Sequence, residues 1–257
     1  MPDPLSSRML LLVGLVFLPL HPSHANTPPT IDTIRSELLQ QHRKGTQFAS
    51  LLKTWENHYG PGAVGPLFEI ASDTHAEDTD RYIALMGAAK LGGIEVAPRT
   101  ANFLKDKSWM LRAAALRILA AFPGLSKSYP ATALQTLSLL HDPALIVRTE
   151  AVETVRKLNP KGTAQALGLA LEQAENYHAG KALWVPQKSL DALVSLHAKE
   201  QAPKILPLLR HQKDPALQQR ALRSLEALMD RKLSASLSLS LQAKLWESEL
   251  ARASVAR

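Results

Sequence analysis

A short segment occurs twice in this chain, and an arginine follows it at the same distance both times. Residues 142–145 and 214–217 both read Asp-Pro-Ala-Leu, and the arginine six positions after each aspartate is Arg148 or Arg220. A third copy of the aspartate-to-arginine spacing starts at Asp106. The intervals between the three aspartates are 36 and 72 residues, and 72 is twice 36. A fixed period of this length predicts a fold of stacked repeats.

The repeated residues favour a structural role. Asp142 and Asp214 stand where the N-cap of a helix is expected, each followed by a proline at the first helical position, where a missing N–H costs nothing. An arginine six residues later lies nearly two turns along the same helix and can reach the aspartate of a neighbouring repeat. We therefore expect an inter-repeat ladder made of Asp106, Arg112, Asp142, Arg148, Asp214 and Arg220.

The composition points to an all-α protein. The chain has 257 residues, of which 46% are hydrophobic and only 5% aromatic, and it has no cysteine. Leucine and alanine are abundant, and both are good helix formers. Helical periodicity and Gly or Pro breaks divide the chain into an N-terminal lead with capping helices (26–62), about five helix pairs (63–230) and a C-terminal capping helix (231–257).

Two of these pairs carry a recognisable pattern in the second helix. Asp106…Arg112-Ala-Ala-Ala115-Leu and Asp142-Pro…Val147-Arg148-Thr-Glu-Ala151-Val resemble HEAT repeats, in particular the short HEAT-like units of bilin lyases. The resemblance covers most of residues 63–230. It implies a right-handed α-solenoid whose second helices line the concave side, and it implies protein binding more often than catalysis.

The resemblance is weakest in two stretches. Residues 63–92 keep Arg81 but have no aspartate in phase with it. In residues 163–198, the positions expected for the aspartate and the arginine hold His178 and Trp184.

The first 25 residues have the pattern of an export signal. Arg8 precedes an apolar run from Met9 to Leu20, which is shorter than the roughly 20 residues of a membrane-spanning helix. Ser23 and Ala25 supply the small residues of a cleavage site after Ala25. The sequence thus predicts a periplasmic or secreted protein with no transmembrane span in the mature chain.

Several residues are candidates for contact with a partner. Tyr177 and Trp184 lie in the irregular fourth pair, and they either dock a partner or fill the groove between the fourth and fifth pairs. Polar residues of the second helices that fall off the apolar phase complete the set: Arg117, Glu153, Lys157, Lys188 and Arg223.

Charge leaves a second interpretation open. The net charge is +7, and basic residues are concentrated in 101–161 and 199–257. An anionic polymer or membrane surface is therefore an alternative partner, whereas an exported protein is not expected to meet nucleic acid. An enzyme on the same repeats is a further alternative. However, the sequence lacks the common hydrolase, P-loop and Rossmann motifs, so neither catalytic residues nor a cofactor or metal is predicted.

Overall fold

The computed structural model describes residues 28–44 and 48–255, and the described chain is almost entirely helical. The predicted signal segment and its cleavage site lie outside the described residues. Contacts divide the chain into two compact units. The first contains residues up to Ala97 together with Ala121–Pro123, and the second contains Pro98–Ala120 together with residues from Gly124 onward.

The described part of the first unit has four α-helices. They are α1 (Ile31–Lys44), α2 (Phe48–His58), α3 (Val64–Ser72) and α4 (Asp78–Gly92), with 3-10 turns at Gly60–Ala63 and Gly93–Val96. The Thr30 hydroxyl accepts a hydrogen bond from the Thr33 N–H at 3.2 Å and caps α1. Residues 81–89 of α4 are buried throughout, which makes α4 the central helix of this unit.

The second unit contains the remaining helices. They are α5 (Ala97–Ala101), α6 (Trp109–Ala121), α7 (Leu125–Ser128), α8 (Pro130–Gln135), α9 (Leu145–Leu158), α10 (Thr163–Ala170), α11 (Trp184–Ser195), α12 (Ala202–Ile205), α13 (Pro215–Met229) and α14 (Leu239–Val255). Helices α5, α8 and α12 lead into 3-10 segments that continue the first helix of a pair, at Asn102–Lys105, Thr136–His141 and Leu206–Arg210.

The long helices α6, α9, α11 and α13 are the second helices of the second, third, fourth and fifth pairs, which span about residues 95–122, 129–158, 163–198 and 201–230. Helix α9 packs against α11, and α11 packs against α13. The Thr154 hydroxyl donates to the Leu116 carbonyl at 3.2 Å and joins α9 to α6. Asn159 and Asp230 adopt left-handed backbone at the ends of α9 and α13, a common way to terminate a helix.

Two short strands interrupt the fourth pair, in the stretch where the resemblance to the repeat pattern is weak. Strands β1 (Tyr177–His178) and β2 (Lys181–Ala182) form an antiparallel hairpin. Ala179 and Gly180 at its tip both have positive φ, as a two-residue type I′ turn requires. No helix among the described residues is long and apolar enough to cross a membrane.

Candidate functional site

A buried ion pair joins the second and third pairs. The Arg112 guanidinium donates to both carboxylate oxygens of Asp142, at 2.6 and 2.7 Å. It also donates to the carbonyl oxygens of Asp106 and Lys107, at 2.9 and 3.0 Å. The six-residue spacing therefore lets the arginine hold the backbone before its own helix while it binds the aspartate of the next pair.

The aspartate itself has a different local role from the one expected. Asp142 is not the N-cap of α9, because the helix begins at Leu145 and Ala144 precedes it. The Asp142 carboxylate instead accepts the Ala144 N–H at 2.8 Å, which stabilises the turn before the helix. Only Asp214 caps its helix as predicted: it accepts the Leu217 N–H at 3.0 Å, and Pro215 follows it.

The next arginine binds an asparagine. Arg148 donates to the Asn176 side-chain oxygen at 2.8 Å and to the Glu175 carbonyl at 2.9 Å. It also reaches back to the carbonyls of Asp142 and Pro143 at 2.7 and 3.1 Å, as Arg112 does in its own pair. Asn176, not His178, therefore occupies the aspartate position of the fourth pair.

In the fourth pair, the backbone of the hairpin makes the contact with the next aspartate that Arg112 makes in the second pair. The backbone N–H of Ala182 donates to the free carboxylate oxygen of Asp214 at 2.9 Å. Burial alone would raise the pKa of Asp214. The N–H groups of Leu217 and Ala182, with the charges of His211 and Lys181, outweigh burial and lower the pKa below its usual value. The hydrogen bond to Asp214 across pairs four and five is thus donated by backbone and not by Trp184.

Tyr177 is held inside the junction of pairs four and five. Its hydroxyl donates to the Leu171 carbonyl at 2.6 Å, and its ring lies 5.3 Å from the His211 ring. Burial and the negative charges of Asp214 and Glu172 raise its pKa to about 12. Of the two roles weighed for Tyr177, this geometry favours filling the groove.

We therefore expect Tyr177 to titrate late. The pKa of a tyrosine in the unfolded chain is near 10. The stabilisation that the fold gains from the protonated Tyr177 hydroxyl is therefore fully present below that pH. This contribution is lost as the pH rises towards 12. Subtracting the ultraviolet titration of Tyr177→Phe from that of the wild type leaves the titration of this phenol alone. A midpoint near 10 would contradict the placement of Tyr177 in the junction of pairs four and five.

Four small buried residues align the second helices. Ala115, Ala151, Ser189 and Ala221 are fully buried, one in each of α6, α9, α11 and α13. Their intervals along the chain are 36, 38 and 32 residues. By this alignment Arg112 and Arg148 correspond to Gln218, and Arg220 lies two residues further on. The two copies of Asp-Pro-Ala-Leu are therefore not in register within their helices.

A second set of ion pairs runs along these helices. Arg117 binds Glu150 at 2.9 Å, Glu153 binds Lys188 at 2.5 Å, and Asp191 binds Arg220 at 2.6 Å. In every pair, one residue lies two positions after the small buried residue of its helix, and its partner lies one position before the small residue of the next helix. We call these three pairs the ion-pair ladder. Either member of a pair can be the acidic one, so the positions of the paired residues are constant while the signs of their charges are not.

Electrostatics at the centre of the ladder are consistent with ionised partners. Burial would raise the pKa of Glu153, but Lys188 and Arg156 outweigh it and lower the pKa. Glu153 also accepts a hydrogen bond from Arg156 at 3.2 Å. Because these side chains are partly exposed, each rung contributes little to stability. Regular placement, more than energy, is the contribution of the ladder.

The structure separates the predicted contact residues into two groups. Arg117, Glu153 and Lys188 bind within the ladder, and Tyr177 is held in the junction between pairs four and five. By contrast, Lys157 and Arg223 are exposed and have no hydrogen bond or ion pair within the described part of the chain. Trp184 is 58% exposed, the most exposed of the large hydrophobic side chains described.

Trp184 shares a helix face with the ladder. It precedes Asp191 by seven residues and Lys188 by four, which is the spacing of one face of an α-helix. The same position in the other second helices is occupied by Met110, Ile146 and Ala216. We call the surface formed by this apolar row, the ion-pair ladder, Lys157 and Arg223 the second-helix face.

Sequence reasoning missed Glu150, Asn176 and Asp191 as inter-repeat partners. A local signal for the ladder was present, because each partner lies before a small and an aliphatic residue. Glu150-Ala151-Val152, Lys188-Ser189-Leu190 and Arg220-Ala221-Leu222 share this charged–small–aliphatic order. Asn176 had no such signal, since it lies in the 3-10 segment Ala174–Asn176 just before the hairpin that breaks the period.

Sequence similarity to known proteins does not assign a function to this surface. No protein-family model matches the chain, and no curated protein matches it significantly. Fold and site together define an all-α protein whose long helices share a common face. Within residues 28–44 and 48–255, no three histidine or acidic side chains converge as metal ligands would.

Proposed function

We propose that the protein is an exported, non-enzymatic scaffold that binds another protein through the second-helix face. Its helix pairs would form a right-handed, HEAT-like α-solenoid, with that face on the concave side. The resemblance of α6 and α9 to HEAT repeats supports the architecture, and the three-part pattern of residues 1–25 supports export. The charges of the ion-pair ladder are engaged with one another, which suits recognition by shape better than proton transfer.

Trp184 is the observation that carries the proposal. A tryptophan that is 58% exposed keeps a large apolar surface in water, and tryptophan is enriched among residues that dominate binding energy. It stands beside the ladder, so a partner would bury its ring within a rim of polar groups. This combination of an apolar anchor and a polar rim is typical of protein interfaces.

The test is capture of a partner from the cell envelope with Trp184→Ala. We expect the loss of the indole to weaken capture about thirtyfold or more, as for a binding hot spot. Trp109→Ala is the matched control, because Trp109 is also the first residue of a second helix and is 39% exposed, but lies one residue off the face position.

Salt separates the proposal from its alternative. A protein held by an apolar anchor should remain bound in a high-salt wash, whereas an anionic polymer or lipid held by the basic residues would be removed. Equal capture by wild type and Trp184→Ala, or retention of salt-sensitive polymer alone, would contradict the scaffold proposal.

A further inference from the structure

Helix α13 has one open side. In the earlier pairs, α9 is followed by α11, and α11 by α13. After α13, no described segment takes the place of another second helix, because α14 packs mainly against the 3-10 segment Leu206–Arg210. A groove of about 750 Å³ is lined by the C-terminal part of α13 and by the segment that follows it as far as Ala235, and we call it the terminal groove. Its lining residues include Arg223, Glu226, Ala227, Asp230 and Lys232.

The terminal groove corresponds to the seam between α11 and α13. That seam holds a smaller groove of about 390 Å³, lined on the α11 side by Asp191 and Val194. The equivalent residues of α13, 32 positions later, are Arg223 and Glu226. Both line the terminal groove, so it lies where one more second helix would pack.

Arg223 is the unfilled position of the ion-pair ladder. The corresponding residues Arg117, Glu153 and Asp191 each bind a residue of the next helix. Arg223 is exposed and has no hydrogen bond or ion pair within the described part of the chain. A helix placed in the terminal groove would meet it with the residue just before its own small buried residue.

We infer that the terminal groove docks an α-helix of a partner protein that presents an acidic, a small and an aliphatic residue in that order. The carboxylate would bind Arg223, and the small residue would allow the close approach that Ala151, Ser189 and Ala221 allow within the chain. The inference rests on the proposed scaffold function and names the chemistry of one of its contacts.

The charges of the groove favour a single carboxylate over a polyanion. Glu226 and Asp230 lie on the same groove, and they would repel a membrane surface or an acidic polymer. Arg231 is engaged with Glu249 at 2.5 Å, which further reduces the available positive charge. One acidic side chain of the partner can bind Arg223 without placing further negative charge against Glu226 and Asp230.

A charge exchange between protein and peptide tests the inference. The probe is a helix-stabilised, fluorescent peptide centred on Glu-Ala-Val, the order found at Glu150-Ala151-Val152, compared with the same peptide carrying Lys in place of Glu. Titrated with the full mature chain, the Glu peptide should bind about fivefold more tightly than the Lys peptide. With Arg223→Glu this preference should reverse.

The controls keep the result specific. Lys127→Glu makes the same charge change on α7, away from the groove, and should leave the preference for the Glu peptide intact. Arg223→Glu should keep the thermal transition of the wild type, because Arg223 is exposed and unpaired. No saturable binding by the wild type, or a preference for the Glu peptide that survives Arg223→Glu, would overturn the inference.

The two proposals can fail separately. Envelope capture that depends on Trp184 while Arg223→Glu neither weakens it nor changes peptide preference would refute docking at α13 and leave the scaffold function standing. If wild type captures no protein at all, the scaffold function falls, and with it the inference.

Discussion

Replacement of Arg148 by alanine should destabilise the protein by about 3 kcal/mol, whereas Arg220→Ala should cost less than about 1 kcal/mol. Both arginines follow an Asp-Pro-Ala-Leu segment at the same distance. Arg148 is only 4% exposed and donates four hydrogen bonds. Its removal leaves buried carbonyl groups without their donor. Arg220 makes one exposed ion pair with Asp191.

Urea unfolding followed by far-ultraviolet circular dichroism measures the difference. The midpoint for Arg148→Ala should shift well below that of the wild type, and the midpoint for Arg220→Ala should nearly coincide with it. Arg210→Ala is a second control, because Arg210 also makes one exposed pair, with Glu247 at 2.7 Å. Equal shifts for Arg148→Ala and Arg220→Ala would mean that the sequence motif, and not the burial of the arginine, sets stability.

Replacement of Trp55 by alanine should cost about 3–5 kcal/mol. Trp55 is completely buried in the first unit, and its indole N–H donates to Glu37 at 2.7 Å. The same carboxylate accepts the Tyr59 hydroxyl at 2.8 Å. A Cβ added at Gly87 of α4 would lie 2.6 Å from the Trp55 ring, so the ring occupies space that a larger residue at position 87 would need. Alanine would leave a large cavity there.

Trp184→Ala is the counterpart that should leave stability almost unchanged. Thermal unfolding of both variants gives the comparison, and Trp55→Phe should fall between Trp55→Ala and the wild type because it keeps most of the packing. A melting temperature for Trp184→Ala as low as that of Trp55→Ala would show that Trp184 belongs to the core. The interaction surface would then lose its anchor.

Part of the candidate site could be anticipated from the sequence. Arg117, Glu153, Lys157, Lys188 and Arg223 were selected because they fall off the apolar phase of their helices, and Trp184 because it lies in the irregular fourth pair. All six lie on the second-helix face. Helical periodicity does not distinguish an exposed charged residue that forms an ion pair from one that does not. That distinction depends on which residue of the next helix lies within 3 Å, and the two residues of a ladder ion pair are 29 to 35 positions apart in sequence.

The fourth pair shows why the rest required tertiary structure. Counting from Asp142 by 36 residues gives His178, yet the side chain that meets Arg148 belongs to Asn176. The aspartate position of the fourth pair is held by Asn176, so the 72 residues between Asp142 and Asp214 divide into 34 and 38. The multiple of 36 in the sequence therefore does not mean that the repeats have equal lengths.

The sequence by itself determined that the chain is helical and that its long helices bury small and aliphatic residues at regular positions, because helix propensity and apolar periodicity are local properties. Tertiary structure decided what each charged residue binds. A shift of two residues turns a helix by about 200°, so Arg220 lies on the exposed face, whereas Arg148 lies in the buried seam. No local pattern contains that rotation, because it is set by how each helix packs against the helix before it.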